Sequence, residues 1–451
     1  MTELGSTSAA EADLRLKLDH LTLSRKEGFK RLVEAPARRQ PDHLTRQQLK
    51  ALSEAALAEH NQLRRKLHAN IGPIATPQMD ELLEDLWDIV DSNDQDGDKV
   101  KGGIAIDAFP GLGKTTAMLT FAKKFHKREI AENGGFTDAG HERWPVCRVG
   151  LTSNTSMRDF NRAVLEFYGH PGRRRGTAAE FGYYALDTIV SCEAKVLIVD
   201  DLHFLKWRNK NGIEVSNHFK FIANEFPITL LMAGVGLESK GLFSEGDSYE
   251  DAVLAQTGRR TTRLGMDPFL INTEEGRQGW RDTLLAIEQR VVLADNYPGM
   301  IADDLSDYLF ARSTGHIGSL MTLINRGCQR AVRTGAERLD IALLDRVKND
   351  AAAEAGRLEL QTAFALSGSG TAGPVWLIGD VLLPFLTRER TNRDVADRSK
   401  KIRRQGDVPD PHRLVCADGD QALTVRVERH RVHRAGVAGE AADQAASVRI
   451  P

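Results

Sequence analysis

The chain has 451 residues, 41% of them hydrophobic and 27% charged, with a formal net charge of −2 and four cysteines. That length accommodates two or three domains, and the composition is that of a soluble globular protein. It excludes a membrane span, since no apolar run approaches the ~18 residues a span requires, and it excludes a globally basic nucleic-acid binder: any such contact must come from a local basic face. Met1-Thr2-Glu3-Leu4-Gly5 lacks the basic-then-apolar pattern of a signal peptide. Cys147, Cys192, Cys328 and Cys416 have neither C-x-x-C spacing nor a histidine partner, so a cytoplasmic setting without a metal-thiolate site is expected.

Residues 1–44 mix Ser, Ala, Pro and charge and read as loosely ordered helix and linker. From residue 45 to about 70, Leu49, Leu52, Ala56, Leu57, Leu63 and Leu67 recur at helical spacing. From 77 to 90, Leu82, Leu83, Leu86, Trp87 and Val90 mark a second helix. These helices are expected to pack on the core; the sharper alternative is a docking arm for a partner. Residues 91–98 imitate a calcium loop, but placing Gly97 at the invariant glycine puts Gly103 where the bidentate Glu belongs, so a solvated loop is expected.

The apolar run Gly103-Ile104-Ala105-Ile106-Asp107-Ala108 then ends in Phe109-Pro110-Gly111-Leu112-Gly113-Lys114-Thr115-Thr116, and a helical pattern follows to about residue 130. Strand, glycine-rich loop and helix in that order make a phosphate-binding P-loop. Its glycines let backbone N–H groups curl around an anion, and the helix aims its positive end there. Residues 109–116 are therefore the candidate ATP contacts, with Lys114 on the end phosphates and Thr115 on Mg²⁺. Ala108 departs from the motif, standing where its first glycine belongs.

Further along, 145–151 reads as a strand, 156–168 and 177–191 as helices, 213–226 as a helix and 228–235 as a strand. Between them Lys195-Val196-Leu197-Ile198-Val199-Asp200-Asp201 is a continuous apolar run ending in two carboxylates, the pattern of a strand buried on both faces. At the carboxyl end of such a strand, Asp200 is the candidate Mg²⁺ ligand and Asp201 the candidate group that polarises the attacking water. The alternation predicts an α/β fold: a parallel sheet sandwiched by helices, with a strand added between loop strand and acidic strand, as in AAA+-like P-loop ATPases.

After residue 267 the pattern becomes helical, at 279–293, 301–313, 316–334 and 340–355, and reads as a small helical lid. From about 368 a Ser/Gly-rich linker, one apolar segment and an Arg-dense tail follow. The expected division is an N-terminal helical arm (1–70), an ATPase core (71–270), a lid (271–365) and a basic tail of low order (366–451).

Asp107 to Thr116, Asp200-Asp201-Leu202-His203-Phe204-Leu205, Ala233-Gly234-Val235-Gly236 and Gly315-His316-Ile317-Gly318-Ser319-Leu320 occur in that order. Together they resemble the TniB/TnsC transposition ATPases, relatives of the phage Mu B protein within AAA+, over roughly residues 45–350. The resemblance implies an ATPase that polymerises on double-stranded DNA, presents it to a transposase or integrase, and releases it on hydrolysis. It also implies an arginine finger acting on a neighbouring subunit, for which Arg259 and Arg260 in Gln256-Thr257-Gly258-Arg259-Arg260-Thr261-Thr262-Arg263 are the candidates. Three positions depart from the family: Asp201 replaces a Glu, no polar sensor stands in Met232-Ala233-Gly234-Val235, and Gly318 stands where a lid arginine belongs. These departures bear on fast hydrolysis more than on nucleotide binding. The densest basic cluster of the core, Arg173-Arg174-Arg175, is the candidate DNA face, with a merely solvated turn as the alternative. Two other functions fit less of the chain: a small-molecule kinase, which needs an Arg-rich lid near the phosphates, and a signalling NTPase switch acting on a protein partner without DNA.

Overall fold

Five short strands build one sheet: β1 (Gly103–Ala108), β2 (Val146–Gly150), β3 (Val196–Asp200), β4 (Thr229–Gly234) and β5 (Thr261–Met266). Their order is β2-β3-β4-β1-β5, and every neighbouring pair is parallel. The computed structural model describes residues 18–96, 98–151, 155–202, 219, 221–237 and 260–366. All residues of β3 and β4 are buried, as befits strands covered on both faces. β4 lies between β1 and β3, the added-strand arrangement expected from the alternation.

Helices α1 (Lys26–Glu34), α2 (Arg46–Ala51), α3 (Glu54–His68) and α4 (Pro77–Ser92) precede the sheet. The helix at residues 26–34 is firmly packed rather than loosely ordered, because Phe29 and Val33 are buried in the sheet's core. Phe29 meets His126 edge-on, with ring centroids 5.6 Å apart. The single helix expected over 45–70 is two helices: Ser53 stops the first run and caps the next, its Oγ accepting the Ala56 N–H. α4 begins at Pro77 behind the cap Thr76 and packs Trp87 against Phe121. The arm therefore packs on its own chain at both ends.

Helices α5 (Lys114–Asn133), α6 (Met157–Tyr168) and α7 (Ala178–Ser191) flank the sheet, the last two capped by Ser156 and Thr177. Of the helix expected over 213–226, residues 219 and 221–225 are helical, while 213–218 and 220 lie outside the described residues, as does the tail from 367 onward.

After β5 come α8 (Glu274–Glu288), a π-helical turn (Met300–Asp304), α9 (Ser306–Ser313), α10 (Ile317–Thr334), α11 (Ile341–Leu344) and α12 (Ala351–Leu366). The first lid helix starts earlier and ends sooner than the expected 279–293, because the buried Glu288 carboxylate accepts the N–H groups of Gly299, Ile301 and Ala302. The helix expected over 340–355 is split, since Asp350 accepts the Ala353 N–H and starts α12 afresh. These helices enclose a second apolar cluster, to which the segment between α3 and α4 contributes Ile71 and Ile74.

A buried ion pair ties arm to lid. Arg64 donates from Nη1 to Glu337 Oε2 at 2.6 Å and from Nη2 to Oε1 at 2.9 Å, both side chains being almost wholly enclosed. Beside it, buried His68 accepts the Val292 N–H at Nε2. Burial, helped by Arg64, holds the His68 pKa down to about 4. Burial, helped by Lys30, does the same for His126.

Both histidines are neutral in the folded protein, whereas in the unfolded chain they titrate near the ordinary 6.5. Between pH 6.5 and about 4 the unfolded state therefore binds more protons, so stability is lost as pH falls through that window. The loss is up to about 3 kcal/mol per histidine. Urea unfolding at pH 7 and pH 4.5 should show His126→Phe, which keeps the aromatic contacts with Phe29 and Trp144, losing less stability on acidification than the parent. Equal losses would mean that His126 does not govern the acid limb.

Candidate active site

β1 delivers the chain into the loop, where Gly111 and Gly113 have φ of +81° and +96°. Such left-handed values are open to glycine at no steric cost. Gly113 is the N-cap of α5, so the N–H groups of Lys114, Thr115 and Thr116 have no intrahelical acceptor and form an anion cradle at a positive helix end. Thr115 and Thr116 are exposed there. Lys114 Nζ donates to the carbonyls of Ala108 (2.7 Å) and Phe109 (2.9 Å). Ala108 needs no glycine, because it is still an extended β1 residue in register with Met266, with its methyl buried.

Across the sheet, Asp200 ends β3 with only 5% exposure. Its two oxygens have separate donors: Arg148 Nη2 to Oδ2 at 2.7 Å, and the Asp201 N–H to Oδ1 at 3.0 Å. Asp201 is exposed and has φ of +62°. Asp enters this region more readily than Glu, although Glu193 and Glu337 adopt it elsewhere in the chain. The backbone thus gives a physical reason for the shorter acid at this position. Burial lowers the Lys114 pKa, while Asp107, Asp200 and Asp201, in that order, push it back up. Loop lysine and acidic strand end therefore share one electrostatic neighbourhood.

Other expected site residues fall elsewhere. Arg259 lies outside the described residues. Arg260 stands at the opposite end of the sheet, its carbonyl accepting the Gly103 N–H and its Nη1 donating to Asn224 Oδ1. Five strand residues, about 17 Å, separate that end from the loop, so Arg260 does not join its own chain's site. The basic cluster is a 3₁₀ turn (Pro171–Arg174) in which Arg173 Nη1 donates to the Gly169 and His170 carbonyls, leaving Arg174 and Arg175 as the exposed pair. In the lid, Arg312 is a buried strut that donates to the Val347 carbonyl and Glu354.

Gly318 touches the loop itself. Its N–H donates to the Gly111 carbonyl at 2.8 Å, and a Cβ there would stand 2.8 Å from that oxygen and 3.0 Å from Gly111 Cα. In this closed lid an arginine at 318 has no room. Sequence reasoning missed Arg148; the available signal was a lone charge inside an otherwise apolar strand, Val146-Cys147-Arg148-Val149-Gly150.

Residues 95–240 match the family model of the AAA domain. The core has the AAA+ P-loop fold. Among solved structures, the chain is similar to the Aeropyrum pernix Orc1 protein in complex with DNA, at 15% identity and a TM-score of 0.45, over 67% of this chain and 71% of that one. Cdc6p from Pyrobaculum aerophilum follows at 12% identity and 0.44, over 76% and 89%. Drosophila ORC bound to DNA also gives 12% and 0.44, over 81% and 88%. No curated protein matches the chain by sequence. Among the described residues, no helix is long and apolar enough to cross a membrane.

The Gly318 contact makes a prediction whose sign opposes helix propensity. Ala favours a helix over Gly by about 1 kcal/mol, yet Gly318→Ala is expected to destabilise the protein by about 1–3 kcal/mol through overpacking against backbone. Urea unfolding measures it; a stabilised variant would show that the lid does not rest on the loop in solution.

Proposed function

We propose that the protein is an ATP-binding and ATP-hydrolysing AAA+ regulator that assembles on double-stranded DNA and directs a transposase or integrase to it. The observation that carries the nucleotide reading is the glycine-formed cradle at the start of α5, with Lys114 set among the carboxylates at the ends of β1 and β3. The DNA and transposase parts rest on the motif resemblance to the TniB/TnsC ATPases and on the exposed Arg174 and Arg175.

In this reading the free N–H groups of residues 114–116 hold the phosphates, Lys114 leaves the Ala108 and Phe109 carbonyls for the end phosphates, and Asp201 orients water. Thr115 and Asp200 would hold Mg²⁺, which neutralises developing phosphate charge when bound. The donor set fits a hard cation: an exposed hydroxyl and a fixed carboxylate, both oxygen ligands. Arg259 or Arg260 would complete a neighbour's site, as the resemblance implies; Arg260 stands too far from its own loop to act there. Such a finger is worth about 10³–10⁵ in rate. One observation favours a switch with slow turnover: β4 brings only Met232-Ala233-Gly234 to the site.

Lys114→Ala is expected to abolish ATP binding, or reduce it at least about a hundredfold, with the fold intact by circular dichroism. Asp201→Asn should keep ATP and lose turnover. Calorimetry showing parent-like ATP binding by Lys114→Ala would sink the site assignment.

DNA binding is expected to require ATP, to ignore sequence, and to weaken with salt at a log–log slope of about −0.9 per neutralised phosphate. Replacing Arg174 and Arg175 by Ala should flatten that slope and leave ATP affinity alone. An unchanged slope moves the DNA face elsewhere. A parent that binds ATP but never DNA favours the switch acting on a protein partner.

A further inference from the structure

Asp107 is the one charged residue of β1. In the sheet register it pairs with Gly234 of β4 on one side and Gly265 of β5 on the other. Residues in register on neighbouring strands project to the same face, and neither glycine has a side chain. The Asp107 carboxylate is therefore the only side chain at that level of the three strands. It is 7% exposed, and Arg263 Nη2 lies 3.7 Å from its Oδ2. The Ala108 carbonyl that receives Lys114 Nζ belongs to the next residue.

The same register relates Asp107 to the acidic end of β3. Val199 pairs with Met232, so Asp200 stands at the level of Ala233, one residue short of the level of Asp107 and Gly234. β4, between them, contributes no polar side chain at either level. Successive levels of a strand face opposite ways, so Asp107 and Asp200 lie on opposite faces of the sheet, with the neutral strand β4 between them. Asp107 is the foremost of the three carboxylates that favour the charged form of Lys114.

We propose that Asp107 forms with Arg263 a charge pair at the base of the loop that tunes how tightly the phosphate site holds the end phosphates. The proposal rests on the nucleotide reading. It assigns opposite signs to the pair: Asp107 repels bound phosphate, and Arg263 attracts it. A purely packing role gives no such opposition.

The test is equilibrium binding of a fluorescent ATP analogue to the full chain at low salt, with EDTA and separately with Mg²⁺. Asp107→Asn is expected to bind about three- to tenfold more tightly than the parent, and Arg263→Gln to bind more weakly by a similar factor. The double variant should return to within about twofold of the parent. The shifts should be larger in EDTA, where the nucleotide carries more negative charge. Single variants that move in the same direction, or do not move, overturn the proposal. Should Asp107→Asn fail to fold, Arg263→Gln alone decides: weaker binding supports the pair, and parent-like binding overturns it. A parent that binds no nucleotide overturns the site reading along with this one. Binding that is lost in Lys114→Ala but unchanged in both other variants overturns only the role of Asp107.

Discussion

The structure turns on holding three carboxylates and a lysine together at the open end of a buried parallel sheet. Like charges gathered at one end of a sheet repel unless counter-charges are placed among them. The fold supplies these from both flanks: Arg148 of β2 against Asp200, and Arg263 of β5 against Asp107, with Lys114 between the acids. The neutral strand β4 keeps the two acidic strands two spacings apart, about 4.8 Å further than direct neighbours would stand. Strand order is in this sense an electrostatic arrangement as well as a packing one.

The lid meets that arrangement backbone to backbone. With Gly318 against Gly111, α10 reaches closer to the loop than any side chain permits, and Ile317 lies against Gly113. A lid arginine and this contact exclude each other. Its absence is therefore the condition of a tight closure rather than a simple loss. The positive end of an 18-residue helix comes near the cradle through the same contact, which supplies partial charge without a cation.

Much of this was legible in the sequence because it is local. Glycine spacing, the Gly-Lys-Thr-Thr turn and the apolar run ending in Asp200-Asp201 each act within a few residues of where they are read. What was not legible depends on register. Arg148 is a visible anomaly in β2, but its partner Asp200 is 52 residues away and is found only once β2 and β3 pair. The Asp107–Arg263 pair is hidden for the same reason, since two glycines leave no pattern to read. Helix boundaries failed where apolar periodicity runs straight through a cap, as at Ser53 and Asp350. Ser53-Glu54 and Asn349-Asp350 carried the capping signal, but the hydrophobic spacing outweighed it.

The arm shows how the lid is restrained. Phe29 is anchored in the sheet's core, whereas Arg64, Ile71 and Ile74 are anchored in the lid, and Arg290 Nη1 holds the carbonyls of Ile71 and Pro73 from the lid side. α4 then returns to the sheet. Any displacement of the lid from the loop must therefore carry α3 with it and be absorbed in the segments joining α1 to α2 and α3 to α4. A buried bidentate ion pair suits that load better than an apolar contact. Breaking one side of it strands a desolvated charge at a cost of about 3–5 kcal/mol, and its planar geometry admits one orientation. The lid is consequently tied to α3, while α1 stays with the sheet.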